Sequence, residues 1–143
     1  MNILFVCTGN TCRSPMAAAL MGKAAEEKGL DVRIESAGIF ANDGENASSE
    51  AIIAMTEYGI DLTGHHAQTI NEELIEKSDI ILTMTAAHKL VFSSVAGDKT
   101  YTLCEYADID EDIDDPFGGD VDEYLETAEK INKAVLKIAD KLK

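Results

Sequence analysis

Basic residues are scarce in this chain. Twelve Lys and Arg stand against 27 Asp and Glu in 143 residues, a formal charge of −15. Binding to nucleic acid or to an anionic membrane surface is driven by cations that neutralise phosphates, so neither is expected as a partner and any anion site must be local. Long apolar runs are missing as well. Nothing approaches the roughly 20 residues that would span a bilayer, and the N-terminal "NILFV" is too short, and lacks the basic flank, to be a signal peptide. Cysteines number three. An odd count without a secretory context argues against a disulfide framework and for thiols kept reduced in a cell interior. No repeat, low-complexity tract or linker interrupts the pattern, so a single domain over residues 1–143, cytoplasmic and monomeric, is expected.

What is present is an alternation of short apolar runs and amphipathic stretches. Asn2 to Val6 form a continuous apolar run, the mark of a strand buried on both faces of a parallel sheet. Pro15 suits a first helical turn, and the helix it opens ends at Gly29. "DVRIESAG" alternates as a strand does. A loop over Asn42 to Ala47 leads to a helix capped by Ser48 or Ser49 and stopped by Gly59, and Asn71 caps the short helix "EELIEK". "DIILTM" is read as the third strand, "AAHKLVFSSVA" as a helix and "KTYTLCEY" as the fourth strand. A long closing helix starts near Val121, with Leu125, Ala128, Ile131, Val135, Ile138 and Leu142 at helical spacing. The order β, α, β, α, α, β, α, β, α predicts a three-layer, doubly wound α/β sandwich: a four-stranded parallel sheet with helices on both faces and right-handed crossovers.

In such sheets ligands bind beyond the carboxyl ends of the strands. The first strand ends in "VC" and runs at once into "TGNTCRSP". A loop that closes on a helix N-terminus presents unpaired backbone N–H groups and the positive end of the helix dipole, so a phosphate is its natural occupant. The same field stabilises a thiolate at Cys7, a ready nucleophile at neutral pH. Arg13 can offer a planar fork to two phosphate oxygens, which Lys cannot do. Ser14 can donate to the Cys7 sulfur, Gly9 permits a turn that a Cβ would hinder, and Asn10 can bridge the loop from inside.

"VCTGNTCRSPMA" resembles the signature C-x5-R-S of the low-molecular-weight protein tyrosine phosphatases, the P-loop of that family, at the N-terminus of an α/β domain. The resemblance continues through "ESAGIF", "GIDLTGHHA", "SDIILTMT" and "DPFGG" and covers almost the whole chain. It implies a cysteine-dependent phosphoprotein phosphatase without a cofactor or metal. Thr8, Gly9, Asn10, Thr11, Cys12, Arg13 and Ser14 would hold the phosphate, and Cys7, Arg13 and Asp115 would perform the chemistry. Asp115, the aspartate before proline, is then the general acid, and His65 and Ser36 join Asn10 and Ser14 in supporting the loop. His66 is expected to be exposed, His88 to lie on a helix surface and Cys104 to be a core thiol at the end of the fourth strand. Cys7 and Cys12 are expected to form a redox pair.

The position of Thr11 usually carries Ile or Leu in the family's tyrosine phosphatases. The arginine phosphatase branch is instead similar to this chain in "CTGNTCRS", "SAGIFA" and "DPFGG". Phosphoarginine in proteins is therefore the expected substrate and phosphotyrosine the alternative, with Thr11, Phe40 and Phe117 setting specificity and Asp114, Asp115 and Asp120 forming an acidic rim.

Other readings of the same residues fail. A zinc site at Cys7 and Cys12 lacks a second Cys/His pair and would place Arg13 against a cation. A calcium loop counted from Asp108 has Ile113 where Gly is required and Gly119 where Glu is required. An arsenate reductase of this fold needs two further cysteines, and only Cys104 remains. A module that merely holds phosphate would need neither a nucleophile nor an acid.

Overall fold

The computed structural model describes residues 1–143. Its elements are β1 (Asn2–Cys7), α1 (Arg13–Lys28), β2 (Arg33–Gly38), α2 (Ser49–Thr56), α3 (Glu72–Lys77), β3 (Ile80–Thr83), α4 (Ala86–Leu90), β4 (Thr100–Thr102), α5 (Leu103–Tyr106) and α6 (Val121–Leu142). The four strands form one parallel sheet in the order β2-β1-β3-β4. The doubly wound sandwich expected from the sequence is what is found.

The apolar run of β1 feeds two cores, because successive side chains point to opposite faces. Ile3, Phe5 and Cys7 pack with Ile80 and Leu82 against the helices α1, α2, α5 and α6. Leu4, Val6 and Ile81 pack on the other face against Leu74 of α3 and against Phe92 and Ala96. Residues of α6 from Tyr124 to Ala139 fill the larger core. Tyr124, fully buried, carries that stripe where the spacing suggested Leu125, which is only partly covered. No helix is long and apolar enough to cross a membrane.

Capping follows the sequence closely. Ser48 accepts from Ala51 N–H, Asn71 from Leu74 N–H and Asp120 from Glu123 N–H, and Gly29 closes α1.

Two elements differ from expectation. The helix after β3 stops at Leu90 and continues as turns, where Ser93 Oγ donates to Leu90 C=O. The fourth strand ends at Thr102. Its hydroxyl accepts from Glu105 N–H at 2.9 Å while the Glu105 carboxylate takes the Thr102 N–H at 3.3 Å, a capping box that turns "LCEY" into α5. Cys104 is therefore a helical residue, although still a buried core thiol.

Parallel pairing aligns the strand ends that matter. Cys7 lies opposite Gly38, and Val6 opposite Thr83. The carboxyl edge of the sheet thus gathers the loops after β1, β2 and β3 around one point.

Candidate active site

Cys7 ends β1, and Thr8 to Cys12 form the loop that closes on α1. No backbone N–H from Thr8 to Ser14 donates to a backbone carbonyl. These groups and the N-terminus of a 16-residue helix make a cradle for an anion.

The cradle is held from behind by Asn10. Its φ of 57° is the left-handed conformation that Asn adopts more readily than most residues. Buried completely, it donates from Nδ2 to Ser14 Oγ (2.8 Å) and Ser36 Oγ (2.9 Å), and its Oδ1 accepts from Gln68 N–H (3.0 Å). The backbone donor at Gln68 fixes which amide atom is oxygen. His65 Nε2 lies 2.7 Å from the Asn10 carbonyl, and because a carbonyl only accepts, that nitrogen carries a proton. Asn10, Ser14, Ser36 and His65 are therefore brought together as the sequence suggested, and His66 is exposed.

Gly9 does not carry the turn. Its φ is not positive, and a Cβ there would meet only Thr11 Oγ1, at 3.8 Å. The glycine that the loop demands is Gly38, where a Cβ would stand 2.6 Å from Thr8 O and 2.9 Å from Asn10 N.

Arg13 is buried and reaches across to the acidic segment. Its Nη1 donates to the Ile113 carbonyl at 2.9 Å, and its Nη2 lies 3.6 Å from Asp115 Oδ2. Ile113 N–H is itself bonded to the Met84 carbonyl just past β3 (2.9 Å), so the "DPF" turn is tied to the sheet edge. Asp115 is 52 % exposed, and its Oδ1 accepts from Phe117 N–H at 3.0 Å. Cys7 Sγ is 2.9 Å from Ser14 Oγ.

Cys7, Thr11, Arg13, Asp115, Phe40 and Phe117 line one cavity of about 370 Å³. Phe40 and Phe117 are 80 % and 77 % exposed and stand as flanks. The acidic rim differs from the expected one. Asp120 is occupied as the cap of α6, and Asp114 lines a neighbouring cleft. The second carboxylate of the rim is Glu45, from a segment legible only as a loop. A wider depression of about 660 Å³ beside α5 is lined by Glu105, Asp108, Asp110, Glu111 and Asp112, with no Cys, His or basic side chain to act on a bound group.

Two further residues touch the loop from a distance. Tyr124 Oη of α6 lies 3.2 Å from Cys12 Sγ, which also stands 3.6 Å from Ser48 Oγ. His88 is not on the surface: it is buried, with Nε2 2.9 Å from Thr8 Oγ1. Burial and the nearby Arg13 push its protonation below the ordinary imidazole range, against the opposing pull of Asp115 and Asp112. Nothing in the local pattern of "TAAHKL" signals this, because α4 turns its His side inward through tertiary placement alone.

Residues 2–143 match the family model described as low molecular weight phosphotyrosine protein phosphatase. The chain belongs to this family. It is 44% identical over 147 residues to a protein-arginine-phosphatase of Bacillus subtilis, covering 100% of this chain and 97% of that protein. A low molecular weight protein-tyrosine-phosphatase PtpB of Staphylococcus haemolyticus is 41% identical, over 92% of each chain. Among solved structures, the YwlE arginine phosphatase, as a cysteine-to-serine mutant with a phosphorylated active-site serine, superposes with a TM-score of 0.95. It is 42% identical and covers 99% of this chain and 95% of that one.

Proposed function

We propose that this protein removes phosphate from phosphoarginine in protein substrates through a phosphocysteine at Cys7. The thiolate attacks phosphorus in line, forming the S–P bond as the P–N bond breaks. Asp115 gives its proton to the departing guanidine nitrogen, and Arg13 with the loop N–H groups takes up the charge that develops on the phosphoryl oxygens. In the second step Asp115, now a carboxylate, takes a proton from a water that attacks phosphorus. The S–P bond breaks, inorganic phosphate leaves and the thiolate returns. Apart from the substrate and the attacking water, every group these steps use is a side chain or backbone N–H of this chain.

The observation that carries the phosphatase reading is the placement of Arg13, whose guanidinium borders Asp115 within the cavity that Cys7 lines. The arginine reading is supported by the rim. Thr11 offers a hydroxyl where an isoleucine would offer apolar surface, Phe40 and Phe117 are flat walls for a planar cation, and Glu45 and Asp115 complement its charge. The whole-length likeness to a protein named for arginine dephosphorylation favours it further. Phosphotyrosine is the second reading, favoured by the relatives named as tyrosine phosphatases.

The test is kcat/KM on phosphoarginine and phosphotyrosine peptides of one sequence. Phosphoarginine is expected to be preferred. Thr11→Ile is expected to shift the ratio toward phosphotyrosine by at least about tenfold, roughly 1.4 kcal/mol of differential transition-state binding. A wild-type enzyme that favours phosphotyrosine, or equal losses on both substrates in the variant, overturns the arginine assignment and leaves the phosphocysteine mechanism standing.

A further inference from the structure

His88 is a costly residue for its place. Only 8 % of it is exposed, and Nδ1 is enclosed with no hydrogen-bond partner. A buried polar atom left bare loses its bonds to water and gains none, so an apolar side chain would fill this volume at less cost. The compensation is the other ring nitrogen, 2.9 Å from Thr8 Oγ1.

The direction of that bond follows from the bare nitrogen. A proton on Nδ1 would make a buried N–H with no acceptor, which folded proteins tolerate less often than an unsatisfied acceptor. The proton therefore belongs on Nε2, His88 donates, and Thr8 Oγ1 accepts. The hydroxyl proton of Thr8 is then free, and Thr8 lines the cavity beside Cys7.

Thr8 is the weakly supported half of the loop. Asn10 and its four partners hold the middle, but around Cys7 and Thr8 the backbone ties are Ile39 N–H to Cys7 C=O (3.0 Å) and Phe40 N–H to Thr8 C=O (2.9 Å). Both engage carbonyls and leave the hydroxyl unassigned. A threonine oxygen without a fixed donor can turn onto neighbouring backbone N–H groups. Those are the groups a phosphate needs.

We propose that His88 is a positioning residue of this active site, whose Nε2–H fixes Thr8 Oγ1 so that the loop N–H groups stay open and the Thr8 hydroxyl proton faces the phosphoryl group. The proposal rests on the phosphatase reading above. A neutral ring suits the role, since an imidazolium would add a second positive charge near Arg13.

Glutamine can place an amide N–H near the position of Nε2, whereas asparagine is too short to reach Thr8. The test compares His88→Gln, His88→Asn, His88→Leu, Thr8→Val and the double variant His88→Leu/Thr8→Val. It reads p-nitrophenyl phosphate turnover and, separately, binding of inorganic phosphate by calorimetry. His88→Leu and His88→Asn are expected to lose about tenfold in kcat/KM and in phosphate affinity, while His88→Gln stays within about threefold of wild type. Thr8→Val should lose as much as His88→Leu, and the double variant no more than either.

Equal behaviour of the Gln and Asn variants, or losses that multiply in the double variant, overturns the role of His88. That pair decides the matter even if His88→Leu does not fold. A wild type that binds phosphate but turns over no phosphomonoester would overturn the phosphatase reading, and the calorimetric comparison would still decide the fate of His88.

Discussion

Ser14 has one hydroxyl proton and two lone pairs, and Asn10 determines how they are used. Because Asn10 Nδ2 donates to Ser14 Oγ, the serine proton is left for Cys7 Sγ, 2.9 Å away. That donation is placed to ease the departure of the sulfur in the second step. Cys7→Ser keeps the geometry but leaves a hydroxyl that attacks phosphorus slowly and, once phosphorylated, departs far less readily than a thiolate. Hydrolysis of phosphorylated peptides is expected to fall to background, and single-turnover rates near wild type would end the covalent mechanism. Asp115→Asn should slow phosphocysteine formation by roughly 10² to 10⁴ for poor leaving groups and far less for p-nitrophenolate. A flat response across leaving groups would remove Asp115 from the acid role. Cys12 carries a different prediction: mild peroxide should oxidise Cys7 to the sulfenic acid, which Cys12 then captures as a reversible disulfide with loss of water. Since Cys12 Sγ faces Tyr124 Oη and Ser48 Oγ, Tyr124→Phe should speed the capture. Mass spectrometry that finds Cys7 as sulfinic acid with Cys12 untouched would defeat this pairing.

β2 meets the loop after β1 without a side chain between them. A Cβ on Gly38 would press on Thr8 O and Asn10 N, backbone atoms that cannot swing aside. Gly38→Ala is therefore expected to cost about 1–3 kcal/mol of stability and to weaken phosphate binding further by moving the loop. Denaturant unfolding with a phosphate titration checks both, and a variant with unchanged midpoint and affinity would contradict the packing. Gly38, unlike Gly9, is needed for a contact 30 residues away, so only the fold shows it. The elements that are legible in the sequence are those written in neighbouring residues: the apolar run of β1, Pro15 and Gly29 bounding α1, Ser48 and Asn71 as caps. Where expectation fails at β4, a local signal wins over a strand-like composition, since Thr102 and Glu105 stand at capping-box spacing. The site divides in the same way. Cys7 to Ser14 are consecutive and declare their chemistry, whereas Gln68, His88 and Tyr124 reach the loop, and Glu45 the cavity it lines, through tertiary packing that leaves no local mark.

Over the whole molecule the charge of −15 makes Arg13 a local exception, and it also sets how the fold responds to alkali. Burial, with Glu111 and Asp112 nearby, pushes the Cys104 thiol from 9.0 up to about 11. Burial and the bond to Cys12 push Tyr124 from 10.0 up to about 12. Tyr58 is raised as well, by burial and Glu129. Each group holds its proton more tightly folded than unfolded, so its contribution is complete below the unfolded value and is lost as pH climbs toward the folded one. Every proton released also adds negative charge to an already anionic molecule, which acts in the same direction. The urea midpoint is accordingly expected to vary little between about pH 7 and 8.5 and to fall steadily above about 9. Cys104→Ala should flatten the part of that fall between 9.0 and about 11, and Tyr124→Phe the part between 10.0 and about 12, whatever each does to the plateau. If both variants kept the wild-type slope above pH 9, the loss would belong to overall charge repulsion, and added salt would then restore the midpoint in all three proteins alike.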